Sequence, residues 1–198
     1  MQKLIFSLLI MLSFSLLSAC NGRIKSEKIA DTDSITSADS LNALTDTIRK
    51  SKVAADPADA RFIMQSVNGA LTELALGKLA QQKGENKRVK NFGALMIKDL
   101  TKANNKMTLL AQSKNITVPV APFADDQKII DQLSQKSGRA FDTAYVDKMI
   151  TDHRKFIPLF ENESRNSTDP DIKKFASKTL ASLKNHLDAI MIIHDSMK

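Results

Sequence analysis

An all-α, up-and-down helical bundle is the fold class this 198-residue sequence predicts, and three observations predict it. Apolar residues recur with a period near 3.6 through four long stretches, as on amphipathic helices facing a core. Helix start and stop signals bound those stretches: Asp56-Pro57 and Asp169-Pro170 at starts, Gly84 and Ser137-Gly138 at breaks. No stretch alternates apolar and polar residues as a half-buried strand would.

Taken in order, residues 1–19 read as a secretion signal. Lys3 supplies a short positive start, and Leu4 to Leu17 is apolar apart from scattered Ser, too short for a good membrane span. The run ends in Leu17-Ser18-Ala19-Cys20, which resembles the lipobox of bacterial lipoproteins. The resemblance implies that Cys20 is diacylated on sulfur, becomes the mature N-terminus and is then acylated on nitrogen. Several chains anchor stably, since each buried CH₂ contributes about 0.8 kcal/mol. Asn21, not Asp, follows the cysteine, so an outer-membrane lipoprotein with its domain facing the periplasm is expected. Cys20 is the single cysteine, so lipidation leaves no thiolate nucleophile, Cys metal ligand or intramolecular disulfide.

Residues 20–56 form the lipidated start and a Ser/Thr/Asp-rich tether. From Asn21 to Asp56 there are six basic and six acidic residues and no aromatic one, too little apolar surface to fold alone. Ile35, Leu41, Leu44 and Ile48 have the spacing of a transient helix. Ser34, Ser40 and Thr47 each sit in an Asp-Ser/Thr-apolar triplet that resembles a bacterial O-glycosylation acceptor. So short a pattern arises readily in such a composition, and coincidence is the simpler reading.

The domain spans 57–198, long enough to bury a core. Its first helix runs to about Lys83 along a seam of Phe62, Ser66, Gly69, Ala70, Glu73, Gly77 and Ala80. Each interior glycine costs roughly 1 kcal/mol relative to alanine, so Gly69 and Gly77 imply close helix approach. A second helix, about 86–113, presents Val89, Phe92, Met96, Leu100, Ala103, Met107 and Leu110. Pro119 and Pro122 then force an extended loop. A short helix covers about 125–135. The fourth, 141–163, puts Tyr145, Val146, Met149, His153, Phe156 and Phe160 on one face, and Pro158 is expected to kink it. The last begins at Pro170 and runs to the C-terminus with Ile172, Ala176, Leu183, Leu187 and Ile190 inward and His186 on the flank. Met149-Ile150-Thr151-Asp152-His153 repeats Met96-Ile97-Lys98-Asp99-Leu100, which suggests equivalent roles for Asp99 and Asp152.

Phe62, the stretch GALTELALGKL at 69–79, Val89-x-x-Phe92, Met96-x-x-Asp99 and Lys102-Ala103-Asn104 form one set of long-spaced motifs. Gly138-x-x-Phe141-Asp142-x-x-Tyr145, Met149-x-x-Asp152-His153 and Leu183-x-x-His186 continue it. Together they resemble domain-of-unknown-function family 4142, envelope proteins of Gram-negative bacteria. The resemblance covers about residues 58–195 and implies a ferritin-like four-helix bundle with one extra short helix, but no reaction. Ferritin-like di-metal sites need inward carboxylates and Glu-x-x-His pairs. The inward-capable polar residues are Glu73, Asp99, Asp152, His153 and His186, and no Glu-x-x-His occurs. Leu100 stands where the family commonly has histidine, which removes one plausible ligand. The expectation is therefore that Glu73, His153 and His186 hydrogen-bond one another or the backbone, with no cofactor. The alternative is a transition metal ion on Glu73, His153 and His186. A weaker one is a soft ion such as Cu(I) on His194 and Met197, one turn apart.

From Pro57 onward there are 22 basic and 16 acidic residues. In the periplasm this excess suits anionic lipid, lipopolysaccharide or an acidic protein, although the basic residues are dispersed as on any solvated surface. Nucleic acid is excluded as a partner by the signal and by the lack of a recognition motif. No Gly-rich phosphate loop and no nucleophile with a base beside it appear, so a non-catalytic binding or structural module is expected.

Overall fold

A computed structural model describes residues 56–198. The signal, Cys20, the tether and the acceptor candidates Ser34, Ser40 and Thr47 lie outside the described residues. Five helices make up the rest: α1 (Pro57–Lys83), α2 (Lys87–Ser113), α3 (Ala124–Ser134), α4 (Gly138–Asn166) and α5 (Pro170–Asp195), with no strand among the described residues. The Asp-Pro starts behave as their chemistry requires. Asp56 accepts from the Ala58 N–H, and Asp169 from those of Asp171 and Ile172, while each proline sits where no N–H is needed. At the start of α2, Asp142 of α4 reaches across and accepts from the backbone N–H of Asn86 at 2.8 Å. α4 runs unbroken through Pro158 to Asn166, and its first turn begins at Gly138, three residues before the expected Phe141.

The helices form two tight hairpins, α1–α2 and α4–α5, which then dock α1 on α4 and α2 on α5. Gly77 and Gly93 set the spacing of the first hairpin. A Cβ at Gly93 would stand 2.8 Å from the Gly77 carbonyl oxygen and 2.9 Å from Ala80 Cβ, so only hydrogen fits. Gly69 serves the docking of the two hairpins instead, because the Phe156 ring occupies the place of its missing side chain.

The apolar core falls into two clusters. One gathers Leu76, Phe92, Met96, Tyr145, Met149 and Ile190; the other gathers Phe62, Ile63, Met107, Phe160, Ile172 and Leu183. α1 and α5 run from the second cluster to the first, whereas α2 and α4 run from the first to the second. The order is therefore up-down-down-up, not up-and-down. Residues 114–137, with Pro119, Pro122 and α3, form the long crossover, as in ferritin-like bundles. Asn68 on α1 pins that crossover, accepting from Phe123 N–H at 2.7 Å and donating to Asp126 at 2.6 Å.

Candidate functional site

Between the two apolar clusters lies a polar layer to which all four long helices contribute. Glu73 comes from α1, Asp99 from α2, His153 from α4 and His186 from α5. Glu73 and His153 lie on the apolar faces of their helices while His186 and Asp99 flank theirs, and burial of the neighbours carries the first three inward. Glu73, His153 and His186 are 2%, 0% and 5% exposed, whereas the Asp99 side chain is 38% exposed.

His186 Nε2 donates to Asp99 Oδ2 at 3.0 Å and ties α5 to α2. The rings of His153 and His186 meet edge to face, with centroids 5.6 Å apart. His153 Nδ1 donates to the Met149 carbonyl of its own helix at 2.8 Å, which leaves Nε2 as the acceptor of a neutral imidazole. Glu73 Oε1 lies 3.8 Å from His153 Nδ1, too far for a hydrogen bond, and that proton is already given to Met149. Burial, reinforced by the Asp152 carboxylate, pushes Glu73 up to about 8. Burial likewise pushes His153 down to about 4. Both groups are neutral at pH 7, so their approach is not an ion pair. Tyr145 is held above its ordinary range by burial and by Glu73.

Mutual satisfaction of these groups, the expectation from sequence, is only partly realised. His153 uses the backbone and His186 uses Asp99, but Glu73 Oε1, His153 Nε2, His186 Nδ1 and the Tyr145 hydroxyl are buried without a protein partner. His153 gives its Nδ1 proton to its own helix, which leaves none for Glu73 at 3.8 Å.

Asp152 does not mirror Asp99. Lys148, one turn back on α4, binds it at 2.6 Å, and burial raises the Asp152 carboxyl against that pairing. In the other copy Leu95 stands where Lys148 does, so Asp99 has no such neighbour and meets His186. His194 and Met197 line one surface pocket with Arg139, Asp147 and Lys198, and His194 Nδ1 lies 3.1 Å from Asp195. Among the described residues no three His, Cys, Asp or Glu side chains are grouped to cage a metal ion.

Two polar atoms were not legible in the sequence: the Tyr145 hydroxyl, hidden in an apolar run, and the buried Asn104 Oδ1, hidden in a polar one. The sequence reading also passed over an acidic pair at the bundle end. There Ser167 donates to Asp59 at 3.0 Å, and burial with the Asp59 carboxylate pushes Glu163 up to about 7. Two acidic residues 104 positions apart meet only through tertiary folding.

The sequence profile of the family described as Domain of unknown function (DUF4142) matches residues 45–193. No curated protein matches the chain. Among solved structures it is similar to a DUF305 fragment from Deinococcus radiodurans, with TM-score 0.62 and 11% identity over 71% of this chain and 97% of that one. It is similar also to CopM in the Cu(I)-bound form, with TM-score 0.60 and 17% identity over 70% of this chain and 96% of that one. CopM in a co-crystallised Ag-bound form gives TM-score 0.58 and 20% identity, over 70% and 96%. At such identities the likeness is one of fold.

Proposed function

The chain belongs to the DUF4142 family, and on that footing we propose that it is an envelope-anchored, non-catalytic helical module that binds or supports an envelope component. The observation that carries this reading is the burial of Glu73 and His153. They are 2% and 0% exposed, so neither presents an atom to a substrate in bulk water. The anchoring half rests on the lipobox-like Leu17-Ser18-Ala19-Cys20, and no helix among the described residues is long and apolar enough to cross a membrane. Cys20→Ser is expected to shift the protein out of the outer-membrane fraction, or to leave an uncut precursor, when fractions are blotted. A mature-sized Cys20→Ser protein still in that fraction would remove the anchor from this reading.

One observation favours a second reading. His153 Nε2 and His186 Nδ1 are unpartnered, imidazole nitrogens suit copper, and CopM, similar in fold, has copper- and silver-bound forms. Elemental analysis of the purified protein separates the two. The first reading expects trace metal only. Stoichiometric copper that disappears in His153→Leu would establish the second.

A further inference from the structure

The four helix–helix seams are not closed equally. The α2–α5 seam is the thinnest, and it carries a groove of about 260 Å³ leading to a cavity of about 40 Å³ inside the bundle. Leu100, Ala103, Phe175, Thr179 and Leu183 line both, so the two are the outer and inner parts of one opening. The cavity ends against Phe156, folded over Gly69, and against Glu73, and its exposed wall is almost wholly apolar. A single water needs at least about 10–15 Å³ of such space, so the cavity admits something as slender as a chain end. The groove's rim is cationic. Lys102 and Lys106 lie one turn apart on α2, and Lys178 faces them from α5. Among the described residues none of these three lysines has a carboxylate within salt-bridge distance. Asp99 is the acidic residue on the same wall, and it is engaged by His186.

A thin apolar slot below three uncommitted ammonium groups matches one ligand chemistry. We propose that the α2–α5 opening binds a single-chain anionic amphiphile, with its alkyl chain in the groove and cavity and its carboxylate or phosphate on Lys102, Lys106 and Lys178. Charge complementarity selects the headgroup and fixes the orientation. Burial of methylenes against Phe175, Leu100 and Leu183 supplies affinity without chain specificity.

Titration calorimetry on the mature-length chain expressed from Asn21, which carries neither an acyl group nor the apolar leader, tests this with decanoate, decyl phosphate and 1-decanol. One decanoate or decyl phosphate per chain is expected, bound at least tenfold more tightly than decanol. The stronger of the two acids identifies a fatty-acid or a phospholipid-like source. Charge reversal in Lys102→Glu/Lys106→Glu/Lys178→Glu is expected to weaken the acids at least tenfold and leave decanol unchanged. Ala103→Trp, filling the wall shared by groove and cavity, is expected to abolish binding of all three. Should Ala103→Trp lose its helical circular dichroism, Thr179→Trp fills the same opening from α5. Decanol binding as tight as the acids, or acids indifferent to the lysine reversal, overturns the proposal, as does a lack of saturable binding. None of these outcomes bears on the anchor or on the metal content, which the fractionation and elemental analysis read separately.

Discussion

Gly93→Val is expected to lower the melting temperature of the domain by about 10 °C, a loss near 3 kcal/mol for a domain of this size. The reason is backbone against backbone. The first added carbon would lie 2.8 Å from the Gly77 carbonyl oxygen, and neither atom sits at the end of a flexible side chain. The α1–α2 hairpin must open, and the contacts of Leu76, Ala80, Val89 and Phe92 loosen with it. Helix propensity alone predicts the opposite sign, since glycine is a poorer helix former than valine by roughly 0.4 kcal/mol. A thermal melt of Gly93→Val within 2 °C of the parent would show that the hairpin tolerates a wider spacing. The repeat makes the substitution instructive, because position 93 corresponds to Val146 in the other copy.

Glu73→Gln is expected to flatten the alkaline side of the stability–pH curve. The Glu73 carboxyl titrates near 8 in the fold and near 4.5 when unfolded. Between those values the folded state holds a proton that the unfolded state has lost, so stability falls as pH rises. His153 works in the opposite sense: it titrates near 4 folded and 6.5 unfolded, so its contribution rises with pH across that interval. The two effects oppose each other below pH 6.5, and only the fall remains above it. From pH 6.5 to 8 the Glu73 contribution is about 2 kcal/mol at 1.36 kcal/mol per unit. Glu163, near 7, adds slope of the same sign, so the variant is expected to keep a shallower decline. Urea unfolding of both proteins at pH 6.5 and 8 measures the difference. Equal slopes in the two would mean that Glu73 is already ionised in the native state.

How far the sequence carries can be read from particular residues. The helices were legible because apolar period and Asp-Pro caps are local signals, and α1 and α5 start where those caps stand. Glu73, His153 and His186 were legible as polar residues at or beside apolar stripes. Their partners were not. Asp99 meets His186 from 87 residues away, and that pairing depends on which hairpins dock. The internal repeat misled for a physical reason: one lysine, at 148 but not at 95, captures its aspartate and breaks the equivalence. The path of the crossover was equally hidden, since a proline-rich connection announces a loop without saying which end of the bundle it climbs to.

The polar layer also fixes how the helices line up lengthwise. Four helices with continuous apolar seams could slide past one another by two turns and still bury much the same surface. Here a seven-residue slip of α5 along α2 would set Thr179 or Ile193 at the height now held by His186. Asp99 would then lose the bond that ties the two helices, and His186 would be pushed into one of the apolar clusters. A single buried polar position specifies alignment in this way in coiled coils, at some cost in stability. In this bundle the same penalty falls on every shifted arrangement, so the groups that contribute least to cohesion decide which of several greasy alignments is the native one.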